Sequence, residues 1–407
     1  MANEAEALRM QSSVIFHVAP PASGLASAVI GRRERTRHAL ALLKPILEGD
    51  PTLERRFRRL MAFANGVRTS EYHLTNACNI RCEGCWFFEH GHDRETLEVT
   101  DLAAWEAFVQ AEREQRHITT ALVIGGEPTL FPERIRPFVR HMKYVTVSSN
   151  GLQALPREGF ENVMVALTLF GGGPLDDKLR AIKVNGRRFD GLFDRALDNY
   201  GGDSRAGFVY ALTEDGIPYV ESTVRRIHEN GNPVTFNFYS RYGSAEPAAG
   251  SHQAELLAEA LRVKEKYPDT VLSHPYFIRT LITGQSHWDS FGYQNCPSIS
   301  ESHPAHAARI ENGNPTLRSF NAWSADLKTV KFCCTSGHCN GCRDSQALFS
   351  WLLVSMDRFC SSREQFLTWI EVAESYWSQF CWSPFYRLAP AVDSEPAKAK
   401  ETVHVVA

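Results

Sequence analysis

The stretch YHLTNACNIRCEGCW, residues 72–86, brings three cysteines close together in the chain. Cys78, Cys82 and Cys85 lie within eight residues, directly after a short apolar run where a strand would end and a loop would begin. Thiolates at this spacing can converge on one metal centre. Three of them would hold three irons of a [4Fe-4S] cluster and leave the fourth iron open to a small ligand.

Zinc and a purely structural role are the alternatives for this loop. Structural zinc sites favour paired Cys-x2-Cys segments and four ligands, whereas this loop has spacings of three and two residues and no fourth ligand nearby. Buried cysteines that act as small hydrophobes would be expected among apolar neighbours. The polar and glycine neighbours of these cysteines, such as Asn79 and Gly84, favour a metal site.

The spacing of Cys78, Cys82 and Cys85, with Trp86 at the usual aromatic position, resembles the motif of radical S-adenosylmethionine (radical SAM) enzymes. In that family the open iron binds the amino and carboxylate groups of S-adenosylmethionine. One electron from the cluster cleaves it to methionine and a 5'-deoxyadenosyl radical, which takes a hydrogen atom from the substrate. The resemblance implies a small-molecule substrate and a one-electron donor such as flavodoxin or ferredoxin.

Length, charge and cysteine distribution limit the class of protein. At 407 residues the chain favours one large domain with appendages. A net charge of -3 does not provide the overall positive charge that would attract a polyanion, so nucleic acid is not expected as a partner. The uneven placement of the ten cysteines favours metal binding in the cytoplasm over a disulfide scaffold. No run reaches about 18 consecutive apolar residues, so we expect no membrane span.

Strand and helix patterns alternate after the cysteine loop. The strand candidates are the run before Cys78 and residues 119–124, 144–147, 163–169, 208–212 and 234–239, and most are separated by helical patterns. This alternation predicts an α/β fold with a parallel sheet. A partial (β/α)6 TIM-like barrel, which is also the fold of the resembled family, accommodates six such strands.

We expect five segments along the chain. They are an N-terminal arm with helices (1–66), the partial barrel (67–290), a cysteine-rich auxiliary-cluster domain (291–345), C-terminal helices (346–383) and a flexible tail (384–407).

Loops that follow the strands form the reactive face of such barrels. Gly125-Gly126-Glu127-Pro128 follows the second strand and matches the segment that holds the amino group of S-adenosylmethionine in the family. Ser148 and Asn150 follow the third strand and resemble a ribose-binding segment, although an Asn-Gly turn is an equal alternative. These residues are the expected cofactor-binding set together with Trp86.

Further residues at the same face are candidates for cofactor and substrate contacts. Arg180 lies in an Asp-x-x-Arg pattern that resembles the subfamily with extra clusters, and it could pair with the carboxylate of S-adenosylmethionine. A surface arginine on a helix is the alternative. Glu214, Asp215 and Tyr239 follow the fifth and sixth strands, and they are candidates for proton transfer to or from the substrate.

A second group of cysteines comes late in the chain. Four thiolates are available from Cys296, one of the pair Cys333 and Cys334, Cys339 and Cys342. The pattern resembles the shortened "twitch" form of the SPASM auxiliary-cluster domain, which implies a second [4Fe-4S] cluster. Zinc is the main rival, since four cysteines and a Cys-x2-Cys knuckle also suit it. We expect a β-hairpin that turns near Asp326 and brings Cys333 and Cys334 beside the knuckle of Cys339 and Cys342.

The sequence predicts a radical SAM enzyme that abstracts a hydrogen atom from a small molecule, with net oxidation, cyclisation or bond formation as the outcome. A peptide-modifying radical SAM enzyme and an enzyme that adds the deoxyadenosyl group to an unsaturated substrate are alternatives within the class. A zinc-stabilised binding protein without catalysis is the alternative outside it.

Overall fold

The computed structural model describes residues 32–89, 91–238, 252–288, 297–311, 316–317, 319–331 and 343–386. Two helices come before the sheet, α1 (Arg32–Gly49) and α2 (Pro51–Ala64). Asp50 separates them, and its side chain accepts hydrogen bonds from Thr52 N and Leu53 N. This cap satisfies amide groups that the first turn of a helix leaves unpaired, and Pro51 suits the first helical position.

A single eight-stranded sheet organises the described chain. The strands are β1 (Thr69–His73), β2 (Thr120–Ile124), β3 (Tyr144–Ser149), β4 (Val163–Phe170), β5 (Ala206–Leu212), β6 (Val234–Phe238), β7 (Ala322–Trp323) and β8 (Val330–Lys331). Their spatial order is β6-β5-β4-β3-β2-β1-β7-β8. Strands β1 to β6 are parallel neighbours in chain order, as the partial (β/α)6 barrel requires, and this confirms the predicted fold class.

Strands β7 and β8 extend the sheet beyond β1. β7 pairs with β1 in parallel, and β8 pairs with β7 in antiparallel orientation. The two form the predicted hairpin, whose turn is closed by hydrogen bonds from Thr329 to the carboxylate of Asp326. The sequence did not predict that this hairpin joins the barrel sheet.

Helices connect and cover the strands. They are α3 (Trp86–Glu89), α4 (His92–Glu95), α5 (Leu102–Glu114), α6 (Pro132–His141), α7 (Pro174–Arg180), α8 (Leu192–Tyr200), α9 (Val220–Glu229), α10 (Gln253–Lys266), α11 (Pro275–Thr283), α12 (Ala305–Glu311), α13 (Ser345–Val354) and α14 (Arg363–Trp377). Short 3-10 turns lie at Pro128–Leu130, Glu214–Tyr219 and Met356–Phe359.

The two faces of the sheet differ in burial. The outer face, packed under helices, carries fully buried side chains such as Tyr72, Val123 and Phe208. The residues that alternate with these along each strand form the inner face. They include the half-buried Glu71, Ser148, Thr168 and Asn237. Because successive side chains of a strand point to opposite faces, this pattern makes the inner face a partly open trough.

The segment 378–386 covers the amino end of the strands. Trp382 stacks on Tyr144 with ring centroids 4.4 Å apart, and its indole donates to Thr146 Oγ1 at 3.3 Å. Phe380 stacks on Trp382, and Tyr386 donates to the carbonyl of Ser204 before β5. The trough therefore meets protein at its amino end, opposite the loops that follow the strands.

Among the described helices, none combines the length and the apolar content that crossing a bilayer requires.

Candidate cofactor site at the cysteine loop

Residues 74–85 form the cysteine loop, which follows β1 directly. Cys78, Cys82 and Cys85 are half-buried residues whose thiols form no disulfide. Burial raises the pKa of all three thiols, to about 11 at Cys78 and about 12 at Cys82. Without a metal these groups stay protonated at neutral pH, whereas coordination to a metal removes the proton outright.

The loop after β2 lies directly against the cysteine loop. Gly126 N donates to Thr75 O and Glu127 N donates to Ala77 O, both at 2.8 Å. A Cβ atom on Gly126 would come within 1.9 Å of Ala77 O, so only glycine allows this approach. The predicted Gly-Gly segment thus fixes the backbone immediately before Cys78.

Glu127 is buried, and its carboxylate bridges two loops. Oε1 accepts from Thr129 N at 3.1 Å and from its hydroxyl at 2.7 Å, while Oε2 accepts from Asn150 N at 2.8 Å. Burial raises its pKa despite these bonds. The side chain is therefore engaged with protein groups, and Pro128 beside it begins the 3-10 turn.

Asn150 and Ser148 lie after and within β3. The side-chain amide of Asn150 donates to Asn79 Oδ1 at 2.7 Å and lies 4.0 Å from Cys78 Sγ. Asn150 thus braces the cysteine loop from the β3 side. Ser148 is half-buried on the inner face of the sheet, where its hydroxyl faces the trough.

Arg180 ends α7 and is 1% exposed, so the interpretation of this residue as a surface arginine is wrong. Its guanidinium forms an ion pair of 3.0 Å with the buried Asp176 and donates to the carbonyl of Thr168. The backbone of the cysteine loop runs alongside, with Glu83 N donating to Leu179 O at 2.7 Å. Arg180 therefore lies beside Cys82, and its charge counteracts part of the burial effect on that thiol's pKa.

Glu98 and Arg134 hold the first part of the loop, a role that the sequence did not indicate. Glu98 accepts from the Thr75 hydroxyl at 2.8 Å and from Asn76 N at 2.6 Å. Arg134 pairs with the other oxygen of the same carboxylate at 2.5 Å. Glu98 lies 22 residues beyond Asn76 in the chain, so no local motif could have revealed this contact.

Trp86 begins α3 within an aromatic cluster. Its ring meets those of His73 and His92 edge to face, with centroids 5.4 and 5.2 Å apart. His73 is 1% exposed at the end of β1, and its Nε2 lies 3.3 Å from Glu71 Oε1. Glu71 and His73 share the inner face because they alternate with the outward Tyr72, a period that the sequence itself contains.

The substrate-side candidates are more scattered. Glu214 begins a 3-10 turn after β5, is half-buried and accepts from His252 N at 3.4 Å. Asp215 is exposed. Tyr239 lies outside the described residues, as do Cys296, Cys333, Cys334, Cys339 and Cys342.

The donor set determines which metal centre suits the loop. Within the described ranges, no three His, Cys, Asp or Glu side chains are grouped as ligands of a single metal ion. A [4Fe-4S] cluster does not require three side chains to meet at one metal ion, because each cysteine binds a different iron. The cysteine sulfurs around a cluster are therefore farther apart than those around a single ion. Three half-buried cysteines in one loop, none in a disulfide, therefore fit a cluster better than a mononuclear ion.

No family model matches the chain, and no curated protein matches it either. Solved structures do match. One is described as native anSMEcpe with bound AdoMet, at 16% identity and a TM-score of 0.41, covering 54% of this chain and 67% of that one. Another is the FeFe-hydrogenase maturase HydG from Carboxydothermus hydrogenoformans, at 12% identity and a TM-score of 0.34, covering 85% and 90%. Since both TM-scores lie below 0.5, the description of the fold rests on the sheet order given above.

Proposed function

We propose that the chain is a radical SAM enzyme that takes a hydrogen atom from a small-molecule substrate. The observation that carries the proposal is the cysteine loop, in which three half-buried cysteines, none in a disulfide, follow the first strand of a parallel, barrel-type sheet. When bound, the [4Fe-4S] cluster and S-adenosylmethionine would supply a 5'-deoxyadenosyl radical at this loop. The residues of the chain would hold both groups and keep water away.

The division of roles among the loop residues follows from their contacts. Cys78, Cys82 and Cys85 would hold the cluster. Gly125 and Gly126 are proposed to contribute to the site for the amino end of S-adenosylmethionine, because their close packing against residues 74–77 brings the β2 loop beside the cysteine loop. Trp86 is proposed to contact the cofactor from the start of α3.

Three polar residues of the expected cofactor-binding set contact protein groups, and these contacts suggest an additional role for them. Glu127, Asn150 and Arg180 are bonded to protein groups that fix the cysteine loop. We propose that they act mainly by orienting that loop, so their removal should alter cluster binding as well as affinity for S-adenosylmethionine. Ser148, which faces the trough, is the proposed contact for the ribose.

The substrate is proposed to bind in the trough of the inner face. Its half-buried lining includes Glu71 and Thr168, which can form hydrogen bonds with a polar small molecule, whereas Asn237 is bonded to Ser345 N. Glu214, Asp215 and Tyr239 stay candidates for proton transfer at the mouth of the trough. Whether the outcome is oxidation, cyclisation or bond formation depends on the substrate.

A second cluster is proposed for Cys296, one of Cys333 and Cys334, Cys339 and Cys342. The β7–β8 hairpin, which leads to this group of cysteines, contacts α4, a short helix that comes after the cysteine loop in the chain. Lys331, at the end of β8, forms an ion pair of 2.9 Å with Glu95 of α4. Two clusters of four irons predict about eight irons per chain after anaerobic reconstitution. Replacing both Cys339 and Cys342 with alanine should reduce this to about four. Zinc bound in place of the second set of irons would contradict the auxiliary cluster.

Anaerobic turnover tests the proposed function. Reconstituted protein with dithionite and S-adenosylmethionine is expected to yield 5'-deoxyadenosine, measured by liquid chromatography and mass spectrometry. Cys82→Ala should abolish the product, because one thiolate ligand is lost. Cys381→Ala, which removes a half-buried thiol far along the chain, is the matched control and should retain it. Wild-type protein without iron, or undiminished product from Cys82→Ala, would overturn the assignment.

A further inference from the structure

A basic hairpin, residues 182–188, continues directly from the cysteine loop. Ile182 and Arg188 pair across it, and Asn185-Gly186 forms its turn, with Gly186 at φ +81°. The hairpin is bonded to the loop through Arg81 N, which donates to Ile182 O at 2.7 Å, and through an antiparallel bridge between Ile80 and Lys183. Cys78 and Cys82 lie two residues before and after Ile80, so the hairpin is in backbone contact with the proposed cluster site.

The exposed side of this hairpin is mostly cationic. Lys183, Arg187 and Arg188 are all exposed, as is the neighbouring Lys178. One of these charges is locally compensated, since Arg188 pairs with Glu83 at 2.7 Å. A chain with a net charge of -3 thus concentrates positive charge beside its cysteine loop.

An apolar hollow accompanies these charges. It is a shallow depression, wide open to solvent, of about 600 Å³, and it is lined by Asn79, Leu152, Lys183, Val184, Asn185 and Phe189. Val184, at the tip of the hairpin, is 57% exposed and adds apolar surface to this hollow. Asn79, at the edge of the hollow, is the residue next to Cys78, and none of the lining residues belongs to the inner face of the sheet.

We infer that this hairpin and hollow are the docking surface for the electron donor, a small acidic protein that carries one electron on a flavin or an iron-sulfur centre. The inference rests on the proposed function, which consumes one electron for each S-adenosylmethionine cleaved. The donor would lose one electron, and Cys78, Cys82 and Cys85 would hold the cluster that accepts it. No bond forms or breaks at the interface.

Charge and position both support this partner. A cationic rim attracts an acidic protein and accelerates encounter, and an apolar centre excludes water from the contact. Direct backbone contacts from the hairpin to Ile80 and Arg81 would place the docked donor beside the cluster site. The substrate trough lies on a different part of the chain, so the donor and the substrate can bind at the same time.

Charge reversal tests the docking surface. The double variant Lys183→Glu, Arg187→Glu should slow reduction of the reconstituted cluster by purified reduced flavodoxin about tenfold or more at low salt. The rate is followed by stopped-flow absorption of the cluster. Photoreduced deazariboflavin, a small uncharged reductant, should reduce both proteins at the same rate. Val184→Asp should also slow reduction of the cluster by flavodoxin, because it places a negative charge at the centre of the contact.

Arg55→Glu is the matched control, because Arg55 is an exposed arginine on α2, and its variant should behave like wild type with both reductants. Equal flavodoxin rates in wild type and the double variant would overturn the inference, as would an equal loss of rate with deazariboflavin. Binding of a labelled oligonucleotide at physiological salt that depends on Lys183 and Arg187, with unchanged flavodoxin rates, would instead identify a nucleic-acid surface. A wild-type protein that binds no cluster removes the proposed function itself, which is a separate result.

Discussion

Gly126 marks the closest approach between the β2 loop and the cysteine loop. Its backbone nitrogen donates to Thr75 O, and there is no room for a side chain against Ala77 O. Contacts between backbones tolerate less adjustment than contacts between side chains. This one glycine therefore controls where the chain enters the cysteine loop.

We predict that Gly126→Ala displaces the cysteine loop and lowers the iron content after reconstitution to a small fraction of the wild-type value. The added Cβ would lie 1.9 Å from Ala77 O, which forces a backbone shift. Gly49→Ala is the matched control, since no atom lies within 4 Å of a Cβ at that position. Full iron binding by Gly126→Ala would show that the two loops are not coupled.

Arg180 and Asp176 form a buried ion pair beside Cys82, and removal of one partner leaves the other uncompensated. Arg180→Gln should lower the free energy of unfolding of the cluster-free protein by about 3–5 kcal/mol. The double variant Asp176→Asn, Arg180→Gln should lose less, because no unpaired carboxylate stays buried. Chemical denaturation measures both losses, and equal losses would contradict the ion-pair explanation.

The same arginine should influence the reduction potential of the cluster. A positive charge beside a ligand sulfur favours the more negative, reduced state, so Arg180→Gln should shift the midpoint potential to a more negative value. Arg180→Lys keeps the charge and should shift it less. A redox titration followed by electron paramagnetic resonance measures the shift. An unchanged potential in Arg180→Gln would limit this residue to a structural role.

At the scale of elements, the cysteine loop is held by groups from several strands and helices. Glu98 lies between the helices α4 and α5, Arg134 belongs to α6, and both meet the loop that follows β1. Burial opposes ionisation of Glu98, yet the bonds from Arg134, Asn76 and Thr75 outweigh it and lower its pKa below 4.5.

A pH-dependent difference in stability between wild type and Glu98→Gln follows from that pKa. A carboxylate whose folded pKa is lowered stabilises the folded state above its unfolded pKa. The advantage of wild type, about 2 kcal/mol for bonds to a charged group, should therefore be complete at neutral pH. It should disappear as the pH falls below 4.5 and through the lowered pKa of the folded protein. Unfolding curves of both proteins between pH 3 and 7 measure this difference, and a constant difference would contradict it.

The elements themselves were largely predictable, because parallel buried strands are continuous apolar runs and their helices have a clear period. The side-chain contacts that hold the cysteine loop in place were not predictable. Asn150 suggested a turn or a ribose contact, and Arg180 a cofactor contact or a surface position, yet both lie against the cysteine loop. Such contacts join residues that are far apart in the chain, and a single sequence contains no signal for them. The domain boundaries stay a prediction.

At the scale of the whole molecule, both ends of the described chain converge on the amino end of the sheet. Phe63 of α2 meets Trp377 of α14 with ring centroids 5.1 Å apart, and Arg59 donates to Pro384 O at 2.8 Å. Trp382 then reaches the strands themselves.

Trp382→Ala should lower the free energy of unfolding by about 3 kcal/mol, because it removes a ring stacked on Tyr144 and Phe380. Its iron content should stay at the wild-type value, since the cysteine loop lies at the other end of the strands. Leu97→Ala is the control and should be neutral, because Leu97 is 91% exposed. Loss of iron in Trp382→Ala would mean that the two ends of the sheet are coupled.

Among the described residues, 378–386 cover the amino end of the trough, opposite the cysteine loop. A substrate would therefore enter and leave past the loops that follow the strands. The carbon attacked should then lie near the trailing end of an elongated molecule, which stays beside the cysteine loop, and bulky groups should be tolerated least at its leading tip. A series of compounds lengthened at one terminus would reveal this directional preference.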